Sequence, residues 1–171
     1  MYALVVYESM YGNTRHIAEA VAAGLAGTVR TEIVEVASAP ALIPQDVGLL
    51  VVGGPTHAFG MSRASTRQSA AEQAQEPLVS QGRGVREWLT SLHTPSGLGA
   101  AAFDTRISKP RMPGSAARGV AKRLRRLGVA LVAPAQSFYV TGTKGPLVDG
   151  EVERARQWGE SLASSIAIPT S

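Results

Sequence analysis

The sequence predicts an α/β fold: a three-layer, doubly wound parallel sheet of five strands in the order 2-1-3-4-5. Two observations carry this. Apolar runs at residues 2–7 and 47–52 read as strands, the second with the pattern of a parallel strand buried on both faces. The segments that follow most strands repeat apolar residues at helical spacing, so each crossover can lay a helix on the sheet. At 171 residues the chain suits one domain spanning 1–171, large enough for a substantial core.

The elements follow in order. After the first strand, Ile17, Ala18, Val21, Ala22 and Leu25 share one helical face, and Gly27 closes that helix. Residues 31–36 form a second strand, and Pro40 and Pro44 punctuate a surface connection. The third strand, 47–52, ends in Gly53-Gly54-Pro55. From Thr56 to Gly82 the chain changes character. A capping box of Ser65 and Gln68 opens a weak helix ending near Glu76, with mainly alanine on its apolar side. Residues 62–82 therefore read as a mobile flap. Val85, Trp88, Leu89 and Leu92 make a compact amphipathic helix, and residues 100–103 a fourth strand leading into a loop over 104–110. Ser115 caps a helix with Ala116, Ala117, Val120, Ala121 and Leu124 inward and Gly128 at its end. Residues 129–132 form the fifth strand, extended after Pro134 by 137–140. Asp149 caps a last helix whose Val152, Ala155, Trp158, Leu162 and Ile166 face inward. Trp88, Trp158 and Phe138 read as core.

Bulk composition narrows the function. No apolar run reaches the roughly 18–20 residues of a membrane span, and the first strand begins at once without a charged leader. The expectation is a cytoplasmic protein without membrane insertion. The absence of cysteine excludes disulfides, thiol chemistry and iron–sulfur ligation by this chain, so electron transfer would need a bound cofactor. Net charge is +4, from 17 Lys and Arg against 13 Asp and Glu. Arg118, Lys122, Arg123, Arg125 and Arg126 concentrate on one helix. They read first as a solvated face, and alternatively as a docking stripe for an acidic partner at Arg118, Lys122 and Arg125. No aromatic residues interleave, so nucleic acid is not expected.

A parallel sheet brings the loops after strands 1, 3 and 4 to one edge, where ligands of such folds bind. The first loop holds Ser9, Met10, Tyr11, Gly12, Asn13 and Thr14 and runs straight into a helix. Free first-turn amides, the positive end of the helix and two hydroxyls suit a phosphate; the plain alternative is a turn capped by Asn13 or Thr14. The second loop offers Pro55, Thr56, His57, Ala58, Phe59 and Gly60, and the third Asp104, Thr105 and Arg106. The P-loop pattern and the dinucleotide G-x-G-x-x-G are both missing. A phosphoacceptor receiver would need paired acids after strand 1 and an aspartate ending strand 3, where this chain has lone Glu8 and Gly53-Gly54.

On these residues the chain resembles the flavodoxin-like FMN-binding proteins over about residues 2–166. Ser9, Gly12, Asn13 and Thr14 are in register with the phosphate motif [ST]-x-T-G-x-T. Val51-Val52-Gly53-Gly54-Pro55-Thr56, Gly145-Pro146-Leu147 and Asp149-Gly150-Glu151 are also similar to the family. Tyr11 replaces the motif's threonine and is closer to the flavoprotein quinone-reductase branch. His57 stands where an aromatic often stacks on the flavin. Ala58 replaces a glycine whose peptide turns toward flavin N5, and alanine resists φ > 0 by roughly 1 kcal/mol. One-electron tuning by that peptide is therefore not expected unless Gly60 serves instead. The third loop lacks the stacking tyrosine of many carriers.

The resemblance implies FMN, with its phosphate on residues 9–14 and its ring between residues 55–60 and Asp104, Thr105 and Arg106. It implies an electron-transfer protein passing electrons from a reduced nicotinamide or a reductase to a redox partner protein or a quinone. Two alternatives stand beside it: an NAD(P)H–quinone reductase-type flavoenzyme, and a regulatory or scaffold domain that has lost FMN. No separate catalytic residue and no metal site are read. His57 contacts the flavin or is a partly exposed loop histidine. Phe59 borders the flavin or plugs the edge of the core. Arg106 neutralises reduced flavin or pairs with Asp104.

Overall fold

The structure, a computed structural model, describes residues 1–110 and 112–166. Its strands are β1 (Tyr2–Tyr7), β2 (Thr31–Glu35), β3 (Val47–Pro55), β4 (Gly99–Ile107), β5 (Ala130–Leu131) and β6 (Gln136–Val140). Its helices are α1 (Asn13–Ala26), α2 (Ala64–Gln73), α3 (Val85–Thr90), α4 (Ala116–Arg126) and α5 (Glu151–Ile166). All strand pairs are parallel, in the order β2-β1-β3-β4-β5. β6 also pairs with β4, so β5 and β6 share the fifth place as one interrupted strand. Pro134 lies in the break, where it could donate no ladder hydrogen bond.

Period-two alternation explains the three layers. Leu4, Val6, Leu50, Val52, Ala100 and Ala102 point to one face and pack with Trp88, Leu89, Val120 and Leu124 of α3 and α4. Ala3, Val5, Leu49, Val51, Ala101 and Phe103 point to the other, against Ile17, Val21 and Leu25 of α1 and Ala155 and Leu162 of α5. α1 and α5 meet at glycines. A Cβ on Gly24 would stand 2.1 Å from the Arg156 carbonyl oxygen, and one on Gly159 2.3 Å from that of Val21. Phe103, Phe138 and Trp158 close this layer edge to face, with ring centres 5.9–6.2 Å apart.

Several boundaries differ from those the sequence predicts. Asp104, Thr105 and Arg106 belong to strand β4 rather than to a loop. They are held in the ladder because Phe103–Ile107 pairs with Gln136–Val140 while Gly53, Gly54 and Pro55 pair on the other side. α2 ends at Gln73, and its first turn is closed by Thr66, not by Ser65 and Gln68: the Arg63 amide donates to Thr66 Oγ1 at 2.8 Å. α5 starts at Glu151, after Gly150 in a left-handed conformation (φ 87°), and Asp149 is exposed before it. Val152 is 49% exposed rather than inward, because it sits in the first turn on the side away from the sheet. Neither Asn13 nor Thr14 caps α1. The Ser9 hydroxyl does that work, accepting from the amides of Gly12 and Arg15 at 3.2 Å each.

Candidate functional site

The ends of β1, β3 and β4 deliver residues 9–14, 55–58 and 105–107 to one edge of the sheet, around a cavity of about 310 Å³. That volume is at the lower end of small-molecule sites, about 300–1,000 Å³. It lies at the switch point, where the chain leaves β1 for one side and β3 for the other.

One wall is the turn between β1 and α1. Gly12 has φ 100°, which a Cβ would resist, and this conformation lets the chain fold back into the helix. The amides of Met10, Tyr11, Asn13 and Thr14 have no acceptor among the described residues, and all four residues line the cavity. Four unpaired donors at and just before the positive end of a helix suit an anion, which makes this turn the candidate cradle. Glu8 does not oppose it. Its buried carboxylate accepts from the Val85 amide (2.8 Å) and from the Ser62 hydroxyl, and burial pushes its pKa up. Thr14 Oγ1 lies 2.7 Å from Thr105 Oγ1, which ties the cradle to β4. Asn13 Nδ2 donates to the Lys144 carbonyl at 3.1 Å, drawing the loop before α5 over the same turn.

The second wall is a tight hairpin. His57 and Gly60 exchange backbone bonds of 2.7 and 3.0 Å, and the two residues between them, Ala58 (φ 44°) and Phe59 (φ 75°), both have positive φ. This two-residue turn normally takes Asn-Gly. The sequence-based expectation that Ala58 would refuse such a conformation is overturned, since the paired hydrogen bonds at the hairpin base hold it there. Gly60 does not have positive φ. Pro55, Thr56, His57 and Ala58 line the cavity; Phe59 and Gly60 do not. Phe59 is 53% exposed and lies against Gly114, so it does not plug the core.

His57 is half-buried, with Nδ1 3.1 Å from Thr66 Oγ1. Burial, with the nearby Arg67 cation, lowers its pKa and favours the neutral ring. Assigning the Thr66 proton to the Arg63 carbonyl (3.0 Å) makes Nδ1 the donor and leaves Nε2 as an acceptor.

Thr105 and Arg106 reach the cavity from β4, but Asp104 does not. Asp104 is fully buried beneath it, where Oδ2 accepts from Thr56 Oγ1 (3.1 Å), the Ala117 amide (3.0 Å) and the Ser115 hydroxyl. It therefore joins β3, β4 and the start of α4 rather than meeting a ligand. The surface pairing of Arg106 with Asp104 is not found; Arg106 donates to the Met112 carbonyl instead.

The wall that sequence reasoning missed is α2. Thr66, Ser69, Ala70 and Gln73 line the cavity, spaced i, i+3, i+4 and i+7. A stripe of small and polar residues at helical spacing was the available signal. Tyr11 Oη donates to the Ala70 carbonyl (3.1 Å), and Met10 packs with Ala70 and Leu78. Arg67 fixes the helix from behind, through Ser62 Oγ (2.8 Å) and an ion pair with Glu87 (2.6 Å). Among the described residues no cluster of metal-binding side chains occurs, and no helix is long and apolar enough to cross a membrane.

Comparison with known proteins agrees with this fold. Residues 5–104 match the family model for flavodoxin. A solved flavodoxin from the domain Archaea is 19% identical, with TM-score 0.67 over 98% of this chain and 100% of its own. Oxidised flavodoxin 1 from Bacillus cereus is 20% identical, with TM-score 0.69 over 96% and 98%. Rubredoxin oxygen:oxidoreductase from Desulfovibrio gigas, 16% identical, matches 98% of this chain with 37% of its own length and TM-score 0.60. At such identities the likeness is one of fold. No curated protein matches the chain.

Proposed function

The chain belongs to the flavodoxin family, and from that premise we propose that residues 9–14 hold the phosphate of FMN, with the ring against residues 55–58, Thr105 and Arg106. FMN is the family's cofactor and electron transfer its general role. The finer reading is that this protein takes electrons from a reduced nicotinamide or a reductase and passes them to a protein or quinone acceptor in the cytoplasm.

The observation that carries it is the set of four unpaired amides at Met10, Tyr11, Asn13 and Thr14, four residues that line the cavity at the start of α1. An apolar ligand would leave them unsatisfied, and a phosphate accepts from all of them. The site also fits on charge, because the Glu8 carboxyl is turned toward Ser62 and the start of α3 and offers no anion to the cradle. When bound, FMN supplies the one- and two-electron chemistry. The protein positions it. Ser9 fixes the turn, Asp104 fixes Thr56, and α2 walls the side next to Tyr11 and excludes water. Arg106 sets a positive charge at the cavity, which favours a ligand that gains negative charge. His57 Nε2 is the ring nitrogen free to accept a hydrogen bond there.

Exposed Arg118, Lys122 and Arg125 on α4 support docking of an acidic partner protein. Turnover separates the carrier from a reductase enzyme: a carrier reduces quinone from a nicotinamide only when a reductase is added, and an enzyme does so alone. Titration of the cofactor-free chain with FMN tests the reading common to both.

A further inference from the structure

Ala58 and Phe59, at the tip of the His57–Gly60 hairpin, are the two residues other than glycine with positive φ among the described residues. A phenyl suits neither property of its place there. Left-handed backbone disfavours any residue with a Cβ, and glycine would fill position 59 without strain. Phe59 is also more than half exposed, so burial does not offset the strain. Met112, 47% exposed, stands two residues before Gly114, against which Phe59 lies. His57 and Ala58 line the cavity beside the cradle, and Phe59 follows them outside it. Backbone strain and an uncovered apolar side chain at one position, next to a ligand cavity, mark a residue that meets something outside the chain.

The surroundings of that tip carry one sign of charge. A Cβ on Gly60 would stand 3.9 Å from a guanidinium nitrogen of Arg86, and one on Gly119 would stand 3.3 Å from Met61 Cε, so α3 and α4 flank the hairpin. Burial, with the cations of Arg63, Arg123 and Arg67 close by, pushes the Arg86 pKa down. Glu87, the acid in this group, is paired with Arg67 at 2.6 Å. Arg63, Arg118, Lys122 and Arg123 make no ion pair among the described residues. We propose that Phe59 anchors a protein-docking face, with Arg63, Arg86, Arg118, Lys122 and Arg123 around it, for a partner that offers an apolar hollow ringed by acidic residues. Opposite charge draws such a partner in, and covering the phenyl fixes it at the edge of the cavity. A second copy of this chain, with a net charge of +4 and the same basic face, is repelled. The proposal rests on the acidic-partner reading above and adds the anchor to it; it does not depend on FMN.

The test is fluorescence anisotropy of two labelled acidic peptides added to the chain after incubation with FMN. Both are rich in aspartate and glutamate; one has leucines at its centre and the other serines in their place. The leucine peptide is expected to bind about tenfold more tightly than the serine peptide. Phe59→Asn, which tolerates left-handed backbone, should remove that preference, keep the affinity for the serine peptide, and melt no lower than wild type. Arg118→Gln combined with Arg123→Gln should weaken both peptides. Equal affinity for the two peptides, or a preference that survives Phe59→Asn, overturns the anchor and leaves the acidic-partner reading standing. Binding indifferent to the arginine substitutions, or no binding of either peptide, overturns both. A lower melting temperature or lost FMN absorbance in Phe59→Asn would make the phenyl a packing or cofactor residue and overturn the proposal. Phe59-dependent binding to phosphatidylserine vesicles, tighter than to the leucine peptide, would replace the protein partner with a membrane surface.

Discussion

The amide of Ser9 donates to the hydroxyl of Ser80 at 2.9 Å, and the amide of Ser80 donates back to the Ser9 carbonyl at 2.7 Å. Both residues are buried. The pair staples the anion cradle to the chain that returns from α2, so cradle and α2 stand or fall together. Ser80→Ala leaves the Ser9 amide buried without an acceptor, at a cost of about 1–3 kcal/mol. The urea midpoint should fall and FMN affinity with it. An unchanged midpoint would mean that the staple is not formed in solution.

Thr14 joins the cradle to β4 through Thr105. Thr14→Ala removes that hydroxyl beside the proposed phosphate site and should weaken FMN binding by about 1–3 kcal/mol. Thr14→Ser, which keeps the hydroxyl, should retain most of the affinity. Fluorescence titration of FMN reads both variants; equal dissociation constants for alanine and wild type would place the phosphate elsewhere.

Ala58 holds φ 44° in the His57–Gly60 hairpin, a conformation that costs an alanine about 1–2 kcal/mol. Asparagine tolerates it better. Ala58→Asn should therefore raise stability by about 0.5–1 kcal/mol, seen as a higher melting temperature. A lower one would show that the hairpin opens in solution.

Burial makes the Glu8 carboxyl hold its proton more tightly in the folded chain than in the unfolded one. Its contribution to stability is then fully present below the unfolded pKa, about 4.3, and is lost as pH rises through the folded value. Across that window wild type should lose stability relative to Glu8→Gln. Paired denaturation curves of the two proteins at several pH values measure the difference; a flat or rising difference contradicts burial as the dominant cause.

The layers and the strand order were legible because a parallel sheet demands continuous apolar runs, which residues 2–7 and 47–52 supply. The ends of β3 and β4 were not. Glycine, proline and aspartate discourage strands by propensity, yet Gly53 and Asp104 are held between partners on both sides, and Pro55 and Arg106 continue their strands by pairing with Thr105 and Tyr139. For the site, the first turn was legible from hydroxyls and glycine next to a helix start. The wall from α2 was hidden because only Ala70 of that helix is buried, so it carries no apolar stripe to announce a packed face. Asp104 was misplaced for a related reason. An acid in a strand reads as a loop until its three donors are known.

The most direct measurement is titration of the cofactor-free chain with FMN, followed by visible absorbance and flavin fluorescence. The account predicts a yellow complex of one FMN per chain, with fluorescence quenched on binding and affinity lowered in Thr14→Ala and Ser80→Ala. A chain that stays colourless at saturating FMN, or binds it with no dependence on either residue, would contradict the assignment of the cradle at the start of α1.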